Sequence, residues 1–323
     1  ERTVHNHQFA AANTAVPLML GRPAEENQPR REMLSKAARL DIFGVREDGA
    51  VDGELHAPLR PQLPVLEPGK RYLLETVVRT LGVGHELTQG TADSNELWLD
   101  VTVTSGDRVI GRSGALDQRG DVDPWAYYLN AYLLDRNGNR IERRNAHDIF
   151  VTLYNHQIPP GAAALVHYAL SIPPDATDSI TVETRLQYRK FDTRFLSHVE
   201  GDAFSRNQLP ITTLATDRVT LPIAGGTEPA TQSSSIPAWE RWNDYGIALL
   251  RQGNSGANKG ELRQATQAFE QVEALGHVEG VMNLARVFYK EGRIEDAAEA
   301  LRRAAAFHPP APPWTLAWYS ALV

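Results

Sequence analysis

Histidines 5 and 7, in the run Thr3-Val-His-Asn-His-Gln-Phe9, are the pair of side chains with the plainest chemical use. Neutral imidazole is the commonest nitrogen ligand of transition metals, so two of them in a short segment can serve one metal or two different irons. The competing reading is a solvated pair in a terminal arm. His85 sits in the Gly-rich loop from Leu81 to Glu96, where Thr88, Thr91, Asp93, Ser94 and Asn95 can satisfy the backbone as Asx-type turns. That loop is either self-contained or presents His85 to a ligand. Asp117, Asp121 and Asp123 near Trp125 form an acidic group, yet Gly114, Gly120 and Pro124 around them point to a solvated loop. Asp135, Asn137, Asn139 and Glu142 resemble part of a calcium loop, but the full spacing with its terminal acidic ligand is missing and a hairpin turn is the better reading. Asn155-His156-Gln157 precedes the rigid turn Pro159-Pro160-Gly161 and reads as structural. No Gly-x-Ser-x-Gly elbow, phosphate loop or His-Glu-x-x-His helix occurs. No catalytic residue is therefore assigned, and an enzyme acting on a carbohydrate or an acyl group requires residues converging from distant loops.

The elements that position these groups fall into two kinds. From Arg39 to Ile223 the chain reads as all-β: segments Arg39 to Arg46, Arg71 to Leu81, Glu96 to Thr104, Tyr127 to Asp135, Ala164 to Ile172, Ser179 to Phe191 and Ile211 to Ile223 are rich in Val, Ile, Leu, Thr and Tyr. Leu97, Leu99, Val101 and Val103 alternate with Trp98, Asp100, Thr102 and Thr104, the two-residue period of a strand. Asn137-Gly138 and Ser105-Gly106-Asp107 supply hairpin turns. An immunoglobulin-like antiparallel β-sandwich with long loops is the expected fold, with a closed barrel as the alternative. One short helix over Glu25 to Ala38, with Pro29 in its first turn, precedes it.

The C-terminal part is helical and repetitive. Val281, Met282, Asn283, Leu284, Ala285, Phe288, Tyr289, Gly292, Ala297 and Ala304 stand at the offsets of the roughly 34-residue tetratricopeptide unit. Ala285, Gly292, Ala297 and Ala304 let two helices approach closely, and Leu284, Phe288, Ala298 and Leu301 form the apolar stripe. Trp242, Tyr245, Gly246, Leu249, Leu250 and Gly253, then Ala265, Phe269 and Val272, repeat the pattern one unit earlier. The polar insertion Asn254 to Gly260 is expected to be a mobile loop. Trp314 to Val323 reads as the first helix of a third unit, so the array of about two and a half repeats reads as cut short, since stacked repeats need a neighbour or a polar cap. Asn283 and Arg286 are the expected polar contacts of a protein or peptide in the repeat groove; Asn283 serves equally as a packing residue between helices.

The expected organisation is thus multidomain, all-β followed by all-α: an arm and short helix over 1–38, a β-sandwich over 39–223, a Gly-, Ser- and Pro-rich linker over 224–237, and helical hairpins over 238–323. With 323 residues, 42% hydrophobic and 23% charged, the chain has ordinary globular composition for two domains. The net charge of -7, with both signs interspersed, gives no footprint for nucleic acid or a polybasic membrane contact. No apolar run reaches the ~20 residues of a membrane span. The start Glu1-Arg-Thr-Val lacks an initiator Met and a signal-peptide core, which reads as a processed or cut terminus. Cysteine is absent, which removes disulfides, thiolate chemistry and thioether-bound haem from these residues.

Several segments together resemble one family. Gly84-His-Glu-Leu-Thr-Gln-Gly-Thr-Ala-Asp-Ser-Asn-Glu-Leu-Trp98, Gly111-Arg-Ser-Gly114, Val122-Asp-Pro-Trp125, Arg143-Arg-Asn145, Tyr154-Asn-His-Gln-Ile-Pro-Pro-Gly161 and Gln187-Tyr-Arg-Lys-Phe-Asp192, followed by the repeats, look like the C-terminal part of exported bacterial multihaem c-type cytochromes that carry tetratricopeptide repeats. In that family a domain bearing Cys-x-x-Cys-His haems comes first, and Glu1 to Ala15 resembles the segment after the last of them. The resemblance implies a periplasmic or extracellular location, a neighbouring cytochrome domain or subunit carrying haem c, and His5 or His7 as a distal axial ligand to such a haem, with His85 as a second candidate. The chain departs from the family in having no cysteine, so electron transfer carries over only as participation.

Overall fold

The computed structural model describes residues 9–88, 90, 94–253 and 260–323. In chain order, the described elements begin with α1 (Val16–Met19), a 3-10 turn (Ala24–Asn27), α2 (Gln28–Leu34), β1 (Ala38–Glu47), β2 (Leu55–His56) and β3 (Arg71–Thr80). They continue with β4 (Glu96–Ser105), β5 (Arg108–Ser113), β6 (Ala131–Leu134), β7 (Val151–Asn155), β8 (Ala163–Ser171), β9 (Ile180–Arg189), α3 (Thr193–Glu200) and β10 (Ile211–Leu221). Helices α4 (Ala238–Gln252), α5 (Gly260–Ala274), α6 (Val278–Glu291), α7 (Ile294–Ala306) and α8 (Pro313–Ser320) complete the chain. The strands form two four-stranded antiparallel sheets, ordered β2-β1-β3-β8 and β10-β9-β4-β5, and a two-stranded ribbon β6-β7.

These elements gather into two compact units that each draw on separated stretches of sequence. One holds the described residues up to Leu40 with Thr80–Gly161 and Thr181–Arg218; the other holds Asp41–Arg79, Ala162–Ile180 and Val219–Val323.

In the first unit, β4 follows its sequence pattern, with Leu97, Leu99, Val101 and Val103 buried and Asp100, Thr102 and Thr104 half-buried. Trp98, on the opposite face with Asp100, Thr102 and Thr104, is buried as well. Its side chain is buried against Val122, Ala126 and Tyr128, and its indole N–H donates to the Gly114 carbonyl at 3.1 Å. Gly106, at φ 54°, turns β4 into β5, as the Ser-Gly-Asp run requires. Asn139 N–H and Asn137 N–H both donate to Asp135 Oδ1 at 2.8 Å, and Gly138 takes φ 82°, so the calcium-loop look-alike is a tight turn. The segment expected as one strand from Tyr127 to Asp135 is divided. It pairs once with β4, at Trp98 opposite Tyr128, and then leaves to pair with β7 as β6. The early helix is likewise shorter than Glu25 to Ala38, because Ala38 already belongs to β1.

In the second unit, β3 and β8 pair antiparallel over nine consecutive positions, from Arg71 opposite Ser171 to Arg79 opposite Ala163. Phe43, Val77, Ala163 and Leu165 share one apolar core with Tyr245, Leu249, Phe269 and residues of α6 and α7. Phe43 stacks on Tyr245 at 4.3 Å between ring centroids and meets Trp242 edge-on at 5.0 Å. Successive helices from α4 to α8 pack on one another. Glycine makes two of those approaches possible: a Cβ on Gly246 would lie 2.5 Å from the Phe269 ring, and one on Gly280 would lie 2.5 Å from the Glu273 backbone nitrogen. Gly292 plays another part than the close approach expected of it. No atom lies within 4 Å of its would-be Cβ, and its φ of 75° ends α6 in the left-handed conformation, with Arg293 N–H returning to the Phe288 carbonyl.

Candidate functional site

The segments singled out in the first unit converge on one polar cavity of about 590 Å³. Glu96 opens β4, and its carboxylate Oε2 accepts from Arg189 Nε at 2.7 Å and Nη2 at 2.5 Å. Arg189 is fully buried and also donates from Nη2 to the Gly120 carbonyl at 2.7 Å. Gly120 must be glycine there, since it holds φ 83° and a Cβ would meet the Asn207 carbonyl at 2.7 Å. The Gly120 carbonyl also accepts from Thr193 Oγ1 at 3.1 Å, which ties the loop to the start of α3.

Asp192 caps α3, accepting from Phe195 N–H at 2.7 Å through Oδ1, while its Oδ2 accepts from Arg140 at 3.3 Å. Burial raises the Asp192 carboxyl above its ordinary value, against the pull of the helix N–H and of Arg140. Burial also pushes Glu96 up to about 7, with Arg189 opposing and the Asp192 charge adding. Tyr132 and Tyr154 also line the cavity, with ring centroids 5.4 Å apart, and the Arg140 guanidinium sits 5.0 Å from the Tyr132 ring centre. Tyr154 stacks on His156, which stacks on Tyr127. Asn130, 4% exposed, lines the cavity, and its Oδ1 has no hydrogen-bond partner among the described residues.

The acidic loop contributes to the rim. Asp117 and Asp121 line the cavity, but Asp117 Oδ1 accepts from the N–H groups of Arg119 and Asp121 at 2.8 Å, so it is a turn-builder. Asp123 caps the same loop, accepting from Gly114 N–H and Trp125 N–H, and Trp125 stands 90% exposed. Among the described residues no three acidic, His or Cys side chains are grouped to hold a metal ion.

Of the expected ligands, His5 and His7 lie outside the described residues, as do 254–259 of the polar insertion expected to be a loop. His85 is exposed, with Nδ1 2.8 Å from the Glu86 carbonyl oxygen. A carbonyl only accepts, so Nδ1 is the donor of that contact, as the second ring nitrogen of a metal-ligating histidine usually is. In the second unit Asn283 is 7% exposed; its Nδ2 donates to Asn243 Oδ1 at 2.8 Å, and its Oδ1 accepts from Arg286 Nη1 at 2.9 Å. The Arg286 guanidinium is 5.9 Å from the Tyr319 ring centre. Beside it, α7 and α8 enclose an apolar groove of about 460 Å³ lined by Ile294, Ala298, Leu301, Leu316 and Val323. Trp314 and Trp318 are 75% and 64% exposed.

The sequence reading named the loops of the cavity but not the cavity. Glu96, Asp192 and Tyr154 all fall in segments quoted for their motifs, whereas Asn130, Tyr132 and Arg140 lie between those segments with no motif of their own.

No family model matches the chain. No curated protein matches it either. Among solved structures it has a weak likeness to the penta-heme cytochrome c552 from Thermochromatium tepidum, with TM-score 0.39 and 18% identity over 59% of this chain and 41% of that one. A weaker likeness is to Spo0M, a sporulation control protein from Bacillus subtilis, with TM-score 0.23 and 9% identity over 68% of this chain and 54% of that one. The chain thus spans 41% of the length of the cytochrome and 54% of that of Spo0M. Among the described residues no helix is long and apolar enough to cross a membrane, and with no cysteine no haem is thioether-bound to these residues.

Proposed function

We propose that the chain is the haem-free, partner-binding portion of an exported multihaem c-type electron-transfer protein or assembly. In this reading the strands form an immunoglobulin-like sandwich, α4 to α8 are tetratricopeptide-type hairpins, and the four segments 1–38, 39–223, 224–237 and 238–323 are its working parts. Its partner is a cytochrome domain or subunit whose haems are carried on Cys-x-x-Cys-His motifs, in the periplasm or outside the cell. His5 or His7 ligates one such haem, and His85 is the second candidate.

The observation that carries the reading is His85. Its exposed ring holds the Nδ1 proton on the Glu86 carbonyl and leaves Nε2 open, the arrangement in which an imidazole accepts an iron from a neighbouring polypeptide. The motif resemblance supplies the class of iron. When bound, the haem would supply one-electron chemistry, and these residues would supply a nitrogen ligand and a docking surface.

The visible absorption spectrum of natively isolated material, with the intact mass of the polypeptide containing this sequence, tests the proposal. Soret and α-band absorption with a mass well above 35.8 kDa supports it. Replacement of His5 and His7 together, or of His85, then shifts the absorption or the reduction potential. A colourless protein of the mass given by these residues overturns it. The second reading, a tetratricopeptide scaffold without redox role, is favoured by the exposed Trp314 and Trp318 and the apolar groove beside them. A protein or peptide at the repeat groove, contacted by Asn283 and Arg286, is the partner under either reading.

A further inference from the structure

From α6 onward the chain holds five arginine or lysine side chains, Arg286, Lys290, Arg293, Arg302 and Arg303. Three of them meet carboxylates of the same helices: Arg293 bonds Glu291 at 3.2 Å and Asp296 at 2.7 Å, Arg302 bonds Glu299, and Arg303 bonds Glu273. Arg286 and Lys290 ion-pair with no carboxylate among the described residues; Arg286 bonds Asn283 instead. The two stand four positions apart on α6, so like charges share one face, an arrangement that by itself opposes the helix. Lys290 is exposed, yet partial desolvation and then the Arg286 charge lower its ammonium from the ordinary value. In a chain of net charge -7 this pair is a local positive site, and an outside anion relieves its repulsion.

Arg286 is also held in place. Its Nη1 donates to the buried Asn283 Oδ1 at 2.9 Å, Asn283 is fixed in turn by Asn243 of α4, and the guanidinium lies 5.9 Å from the Tyr319 ring centre. One nitrogen of the fork is spent on Asn283, and the remaining N–H groups can meet a carboxylate. Around Tyr319, Trp314, Trp318 and Leu322 recur every four residues along α8 and the turn after it, and they are 75%, 64% and 41% exposed. An apolar stripe next to unneutralised cations defines what fits, namely carboxylates interleaved with apolar side chains. An anionic membrane is the competing surface, but two unpaired cations fall short of the roughly four or more that make a basic membrane patch.

We propose that this face of α6 and α8 binds an acidic segment of a partner protein, with Asp or Glu carboxylates on Arg286 and Lys290 and apolar side chains on Trp314 and Trp318. The inference rests on the repeat-groove reading above and gives that groove a partner chemistry; no candidate haem ligand takes part in it.

The test is calorimetric titration of the full chain with peptides blocked at both ends, so that no terminal charge contributes. One peptide is three repeats of Asp-Glu-Leu-Phe; a second has Asn-Gln in place of Asp-Glu, and a third has Ser-Gly in place of Leu-Phe. Phosphatidylglycerol vesicles are titrated in parallel. Saturable binding of the first peptide is expected, weaker for the other two and weakened by added salt. Lys290→Glu reverses one charge and hands Arg286 an internal carboxylate, so it is expected to weaken binding about tenfold or more, the loss of a charge-assisted hydrogen bond. Circular dichroism checks the fold of the variant, and Lys290→Ala reads the same site if the reversal fails to fold. Equal affinity for the Asn-Gln peptide, reduced in Arg286→Ala, overturns the acidic preference and leaves the groove standing. No saturation by any of the peptides up to ~1 mM overturns the groove with it. Binding of the vesicles alone, equal affinity for the Ser-Gly peptide, or acidic-peptide affinity unchanged in a folded Lys290 variant also overturns the proposal.

Discussion

Arg241 of α4 grips the Asp41 carboxylate of β1 with two parallel bonds, Nε to Oδ2 and Nη2 to Oδ1, each 2.8 Å. Both residues are buried, at 2% and 5% exposure, and Arg60 reaches the same Oδ1 at 3.2 Å. The remaining Arg241 donors meet the carbonyls of Leu59 and Ile42. The planar fork of arginine therefore holds the first helix of the array to the sheet within one unit.

Removing one partner of a buried, fully bonded pair leaves the other charge uncompensated. Arg241→Leu is expected to cost about 3–5 kcal/mol in urea unfolding, and Arg241→Lys to recover only a small part because an ammonium cannot make both bonds. Asp41→Asn combined with Arg241→Leu should cost less than the sum of the two single changes. Strict additivity would mean the two side chains act independently.

The pair Asn283 and Arg286 separates packing from recognition. Asn283 bonds both Asn243 and Arg286 and is almost fully buried, whereas Arg286 is half-buried. Asn283→Ala is expected to lower stability by about 1–2 kcal/mol, the loss of buried hydrogen bonds. Arg286→Ala removes the donor to the buried Asn283 Oδ1 and should itself cost about 1 kcal/mol, but it alone should also weaken capture of the proposed cytochrome-bearing partner. Capture unchanged by both substitutions removes the groove from the account.

Local pattern was legible wherever one period ran through one environment. Leu97, Leu99, Val101 and Val103 announce β4 and its buried face, and Ser105-Gly106-Asp107 announces the turn that follows it. The face of Trp98 was legible but its burial was not, because nothing nearby in sequence tells that Val122 and Ala126 cover that second face. The Tyr127 to Asp135 run has β propensity throughout, but its partner changes from β4 to β7 partway along, and partner choice is not a local property. Gly292 looked like a small residue for helix contact, yet the same residue type serves a left-handed helix end, and only its backbone angle distinguishes them. The cavity was hidden for a related reason. Glu96 and Arg189 are 93 positions apart, and Arg140 reaches Asp192 across 52. Residue types gave candidates for binding; convergence came from the fold.

Three glycines in the helices make a graded prediction. At Gly246 an added methyl meets the edge of the Phe269 ring, at 2.5 Å from Cε1, and the ring can shift only within a packed core. At Gly280 it meets backbone, the Glu273 nitrogen and the Phe269 carbonyl oxygen at 2.6 Å, which can move only if two helices part. At Gly292 it meets nothing but must hold φ 75°. Alanine should therefore cost about 1 kcal/mol at Gly292, from backbone strain alone, and about 1–3 kcal/mol at Gly246, from overpacking. Gly280→Ala should be the most destabilised of the three in thermal unfolding. An order with Gly292→Ala the worst would contradict the assignment of close helix contact to Gly246 and Gly280.

Glu96 gives the pH dependence its sign. Burial pushes its carboxyl up to about 7 from an ordinary 4.5, Asp192 adds to the shift and Arg189 opposes it. Between those two values the folded chain keeps a proton that the unfolded chain releases, so the folded state binds more protons and stability falls as pH rises. The contribution is fully present below the unfolded value and is lost as pH passes through the folded one. Wild-type protein should therefore lose more stability than Glu96→Gln between about pH 4.5 and pH 7, and the two should run parallel above that. Urea unfolding at a series of pH values reads the difference, and the carbon-13 signal of the Glu96 carboxyl reads the titration itself. A midpoint near the ordinary value, with parallel stability curves throughout, would instead place an ionised Glu96 against Arg189 across the whole range and leave no proton in the cavity at neutral pH.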